Sequence, residues 1–136
     1  MLAVGLVRPG MVAGGRDQVF VIGTRERRLP PPPSVVWRSL FDPHQSGARP
    51  WLDLLDDEQE PTIVLVDAPI LVVWSSLWPS RPRDLVRFDL RAAGVETALR
   101  WTLISQDEPP VASRTGHLRR RMNVLINERL RLSYGQ

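Results

Sequence analysis

The chain has no cysteine and no lysine, and only two histidines, His44 and His117. Without thiols, disulfides, thiolate nucleophiles and cysteine-ligated zinc are excluded. Two histidines far apart in sequence supply little for other metal chemistry, so neither a metal nor a cofactor is expected. No apolar run approaches the ~18 residues of a membrane span. The segment Met1–Val7 is apolar but lacks the basic n-region of a signal peptide, so a cytoplasmic protein with no membrane partner is expected. GxSxG, P-loop, GxGxxG and HExxH patterns are all missing, and Ser34, Ser75, Ser76 and Ser105 have no base beside them. No catalytic residue is expected, and a binding protein is a better reading than an enzyme.

All 18 basic residues are arginine, and the net charge is +3. An RNA-binding sheet places exposed aromatics among its basic residues. Here the five tryptophans sit among aliphatic neighbours, as core or pocket residues do. No nucleic-acid partner is expected, and the arginine excess reads as GC-rich coding. The charges are segregated. Asp53, Asp56, Asp57, Glu58 and Glu60 form an acidic cluster that reads as an exposed loop, and Arg119-Arg120-Arg121 reads as a solvated helix surface.

At 136 residues and 43% hydrophobic, the chain is long and apolar enough for one domain with a real core. Residues 1–16 carry four glycines and little periodicity. They read as a weakly ordered tail ahead of a single domain over 17–136, with a short strand at Val4–Val7 as the alternative. Alternation predicts a strand over 18–29. Pro30–Pro33 reads as a rigid corner, or alternatively as a polyproline ligand for another protein. Ser34 is the expected N-cap of a helix over 34–42, stopped by Asp42-Pro43. Pro50 and Trp51–Leu55 predict one further short helical piece. Thr62–Val66 and Ile70–Trp74 predict either one bent strand or two. Asp84–Arg91 and Glu96–Ile104, joined at Ala93-Gly94, predict an antiparallel hairpin with one wet face.

The stretch from Val111 to Leu132 predicts a long amphipathic helix. At about 100° per residue, Leu118, Met122, Leu125, Arg129 and Leu132 share one stripe, widened by Ile126 and Leu130. Arg129 breaks that stripe. It must snorkel to water, pair with a carboxylate such as Glu26, or face a cavity and hold an anionic group.

The order of elements and three local patterns resemble the START-like (Bet v 1-like, SRPBCC) superfamily. Arg27-Arg28-Leu29-Pro-Pro-Pro-Pro-Ser-Val-Val-Trp37 looks like its strand–proline–helix opening. Trp51 is similar to a tryptophan that often follows the first helix. Gly94-Val-Glu-Thr97-Ala-Leu-Arg-Trp101 looks like its "G-x-T-x-L-x-W" hairpin. The polyketide cyclase/dehydrase-like and Hsp90-ATPase-activator-like branches are nearest.

The resemblance covers about residues 18–133. It implies an α+β helix-grip fold, a curved antiparallel sheet wrapped around a long C-terminal helix. About five strands are expected where seven are usual, because an acidic segment follows Trp51 in place of further strands. A shorter sheet leaves an edge that a homodimer would cover.

The resemblance also implies a cavity between sheet and helix for a small apolar or amphipathic, anionic ligand. Trp37, Trp74, Phe88, Trp101, Leu118, Met122, Leu125 and Arg129 are the candidate lining. A co-chaperone-like protein contact and a cyclase/dehydratase-type enzyme are the alternatives. A core filled by Trp74, Trp78 and Trp101 favours the protein contact over the cavity.

Overall fold

The computed structural model describes residues 18–135. The expected N-terminal tail lies outside them. Five strands form one antiparallel sheet: β1 (Phe20–Leu29), β2 (Ile63–Asp67), β3 (Leu71–Ser75), β4 (Leu85–Ala93) and β5 (Glu96–Ser105). Their order across the sheet is β1-β5-β4-β3-β2. A helix, α1 (Pro33–Phe41), follows β1, and α2 (Ala112–Asn123) opens the long C-terminal helix. Among the described residues, no helix is long and apolar enough to cross a membrane.

The β4–β5 hairpin follows directly from alternation. Leu90 pairs with Leu99, Phe88 with Trp101 and Val86 with Leu103, and all six are buried on the inner face. Gly94 closes the turn at φ +66, a left-handed conformation that glycine adopts without a Cβ clash. The segment 62–74 resolves into two strands, with Ala68-Pro69 in the turn between them. Proline cannot donate to a ladder, so it sits outside the paired residues.

Three local expectations change. Helix α1 begins at Pro33 with Pro32 as N-cap, and no side chain caps it. Two prolines supply extended and helical φ values and carry no N–H to satisfy, so the Ser34 hydroxyl is not needed there. Residues 51–55 are not helical. Trp51 and Leu52 are buried while Asp53 is exposed, and the chain passes along the C-terminal helix without regular structure. In β1 the register shifts between Val21 and Gly23, which breaks the simple alternation expected there. Gly23 is buried, and a Cβ on it would lie 2.6 Å from Arg119 Cγ.

The C-terminal helix is continuous but changes its winding. From Val124 to Leu130 it is π-helical, and α3 (Arg131–Ser133) ends it. Hydrogen bonds that span five residues turn the chain less per residue than an α-helix does. Beyond Asn123 each residue therefore lags behind the 100° step. The buried stripe becomes Leu118, Met122, Ile126 and Leu130. Arg121, Leu125 and Arg129 line one flank of it, and Leu132 ends 56% exposed.

Candidate functional site

The inner face of the sheet and the C-terminal helix enclose one aromatic core. Trp74 meets Phe88 edge-on at 4.7 Å and stacks against Trp51 at 6.0 Å. Trp101 lies opposite Phe88 on the next strand. Leu118, Met122 and Leu125 close the cluster from the helix. The expected lining residues are thus brought together, with Trp37 half-buried at the rim. Trp37 Nε1 donates to the Leu71 carbonyl and Trp74 Nε1 to the Leu40 carbonyl, both at 2.9 Å, and these bonds tie α1 to the sheet.

This core is closed. Phe88, Leu118, Met122 and Leu125 are 0% exposed, and Trp74 and Trp101 are 1%. No void wide enough for a water molecule lies against the first four. One chemical irregularity remains inside. The indole N–H groups of Trp51, Trp78 and Trp101 are buried and have no acceptor among the described residues.

Arg129 stands apart from the cluster. Its side chain is 44% exposed and lies 3.4 Å from the Asp53 carboxylate. Its Nε also donates to the Trp51 carbonyl at 3.5 Å. Glu26, considered as its partner, instead binds Arg91 and Arg100.

The arginine buried in the C-terminal helix is Arg121, contrary to the solvated surface expected for it. It grips Glu58 with two bonds, at 2.7 and 3.1 Å, and donates to the Asp53 carbonyl. The two side chains are 9% and 0% exposed, so Glu58 is not part of an exposed loop either. Nothing in the local sequence separates Arg121 from its two neighbours. The acidic segment lies along the helix and covers it. Asp57 reaches Arg114 at 3.3 Å and His117 at 3.5 Å. Gln59 then fastens the segment beyond β3, its N–H donating to the Leu77 carbonyl at 2.7 Å.

Beside the core is an open groove of about 440 Å³. Val35 and Ser39 of α1, the loop 45–49, Trp51, Ser133 and Tyr134 line it. Tyr134 Oη donates to Ser39 Oγ at 2.8 Å. Burial pushes the Tyr134 hydroxyl up to about 12, although the Ser39 bond opposes that rise. A smaller depression adjoins the groove and shares Arg49 and Ser133 with it; Pro50, Arg129 and Leu132 complete its wall. Sequence reasoning missed this groove. Its only trace was spacing, since Ser39 falls on the α1 face with Val36 and Leu40, and Tyr134 follows Leu130 by four.

No protein-family model matches the chain. No curated protein matches it. Solved structures do. CalU16 from Micromonospora echinospora superimposes with a TM-score of 0.60 at 16% identity, over 80% of this chain and 71% of that one. The Aha1 dimer from Colwellia psychrerythraea gives 0.59 at 12% identity, over 81% and 92%. An AHSA1-like protein from Rhizobium etli gives 0.58 at 18% identity, over 92% and 88%. The fold is a helix-grip α+β fold, shared with these three structures. In this chain the acidic segment lies over the C-terminal helix.

Proposed function

We propose that residues 17–136 act as one unit that binds a small amphipathic molecule between the sheet and the C-terminal helix. Trp37, Trp74, Phe88, Trp101, Leu118, Met122 and Leu125 form the apolar lining, and Arg129 stands at the mouth. The observation that carries this reading is the set of three orphaned indole donors in an otherwise apolar core. A buried donor without an acceptor costs about 1–3 kcal/mol, and such groups are rare in folded proteins. A ligand with carbonyl or carboxylate oxygens relieves that cost while its apolar body replaces displaced side chains. Such an apolar lining with a few fixed polar groups is the common character of small-molecule sites.

The test is tryptophan fluorescence titrated with dansyl-undecanoate, a flavonoid and pyrene. A saturable change is expected for the amphipathic acid. No change with any of the three overturns the reading.

A protein contact is the second reading, and two observations favour it: Trp74, Trp78 and Trp101 fill the core at 0–1% exposure, and β2 is an open edge. This strand is the outer edge of the sheet, and Ile63, Val64 and Val66 are 38–46% exposed. The strand Ile63–Asp67 carries no arginine or proline to block pairing with another edge. Two copies meeting edge to edge at β2 would form a homodimer. Sedimentation of the protein and of Val64→Arg tests this: a dimer that the substitution dissociates supports it, and a monomer in both sinks it.

A further inference from the structure

Trp51 belongs to two places at once. It lines the surface groove, and it stacks on Trp74 inside the core. It is 2% exposed, so it forms the partition between them. Its indole N–H has no acceptor among the described residues.

The chain on its two flanks is held very differently. Residues 53–59 are fastened by Arg129, Arg114 and Arg121 and by the Gln59–Leu77 backbone bond. On the other side, the loop 44–50 is exposed or half-exposed throughout. Its backbone bonds are Gln45 to Asp42 at 3.2 Å and Ala48 to Gln45 at 3.3 Å, and its first residue, His44, makes an exposed contact with Glu60 at 2.8 Å, so the freely held part is 45–50. Gly47 has a positive φ of +85 and no atom within 4 Å of where a Cβ would stand. Segments with few buried contacts and solvent-exposed bonds open first.

The Trp51 backbone is latched by one long bond, from Arg129, which also holds Asp53. Arg129 lines the depression next to the groove together with Arg49. Arg49 makes no ion pair or hydrogen bond among the described residues.

We infer that Trp51 is a gate between the surface groove and the aromatic core, opened by an amphipathic carboxylate whose head group engages Arg49 and Arg129. This rests on the binding reading above and adds the route and the head-group chemistry. A carboxylate that takes Arg129 competes with both the Trp51 carbonyl and Asp53 for the same guanidinium. Releasing them frees Trp51 to move with the loop 45–50, and the groove then joins the space against Trp74. The bond between Arg121 and Glu58 keeps the far end of the segment in place, so the motion ends near Asp53.

Stopped-flow fluorescence with dansyl-undecanoate and its methyl ester tests the gate. Trp51→Ala is expected to speed association of the acid at least about tenfold. Trp51→Phe, which keeps a ring in the partition, is expected to stay close to the parent rate. Arg49→Gln combined with Arg129→Gln is expected to erase the preference for acid over ester.

Equal rates in the parent and Trp51→Ala, with binding in both, overturn the gate and leave the binding reading standing. Binding by Trp51→Ala alone supports the gate and overturns binding by the parent chain. No binding by either overturns both. An acid preference that survives loss of both arginines removes them from the inference. Should Trp51→Ala not fold, Trp51→Leu gives the same readout with more of the packing kept.

Discussion

The two halves of the C-terminal helix carry similar residues and do opposite things with them. In the α-helical half, Arg121 is 8% exposed and forms a buried pair with Glu58. In the π-wound half, Arg129 is 44% exposed at its side chain and shares a solvated contact with Asp53. At α-helical spacing throughout, Arg129 would stand near the middle of the apolar stripe. Winding therefore carries Arg129 off the stripe, while Arg121, inside the α-helical stretch, is buried by its bonds to Glu58 and the Asp53 carbonyl. The acidic segment reads the result, because its carboxylates meet positions 114, 117, 121 and 129 along one flank.

The largest expected effect sharpens this contrast at Arg121. Arg121→Met is predicted to cost about 3–5 kcal/mol in chemical denaturation, because Glu58 is left buried and uncompensated. Replacing both, with Arg121→Met and Glu58→Leu, is predicted to recover most of that loss. A small loss for the single variant would mean that the pair is solvated and that the two halves do not differ.

The π winding itself is tested at two leucines. Leu130 is 0% exposed and Leu132 is 56% exposed. Leu130→Ala is predicted to cost about 2–5 kcal/mol by cavity formation, and Leu132→Ala less than about 0.5 kcal/mol. Similar costs at both sites would restore the α-helical spacing.

A smaller effect is expected at the end of the helix. Tyr134→Phe removes one hydrogen bond to Ser39, worth about 0.5–1.5 kcal/mol at neutral pH. The hydroxyl is raised from 10.0 to about 12, so the folded protein holds this proton more tightly than the unfolded chain does. That stabilisation is complete below pH 10 and is lost as pH rises through about 12. Equilibrium unfolding from pH 9 to 12 should show a declining alkaline limb that Tyr134→Phe flattens. The smallest effect is at Arg129. Arg129→Met is predicted to change stability by less than about 0.5 kcal/mol, as is usual for exposed pairs. A loss of several kcal/mol would place Arg129 in the class of Arg121 and break the comparison.

What the sequence determined alone is what short-range physics controls. Alternation over 84–91 and 96–104, with a glycine turn between, was enough for the β4–β5 hairpin and its inner face. Asp42-Pro43 was enough to stop α1, since proline restricts the residue before it. The inward positions were legible for the same reason: Trp74, Phe88, Trp101, Leu118 and Met122 all sit at positions whose period points them into the core.

Tertiary structure decided the rest. The π winding has no signature in the spacing of Val124–Leu130, and it moved Arg129 off the stripe. Glu58 and Arg121 stand 63 positions apart, so no local pattern marks either one as buried. The same holds for Trp51, which local sequence placed in a short helix. A charge can be buried only where its partner already waits, and a segment without regular structure can be held only by a surface made elsewhere in the chain. Those conditions are set when the acidic segment meets the C-terminal helix, and that meeting is what puts Trp51 between the groove and the core.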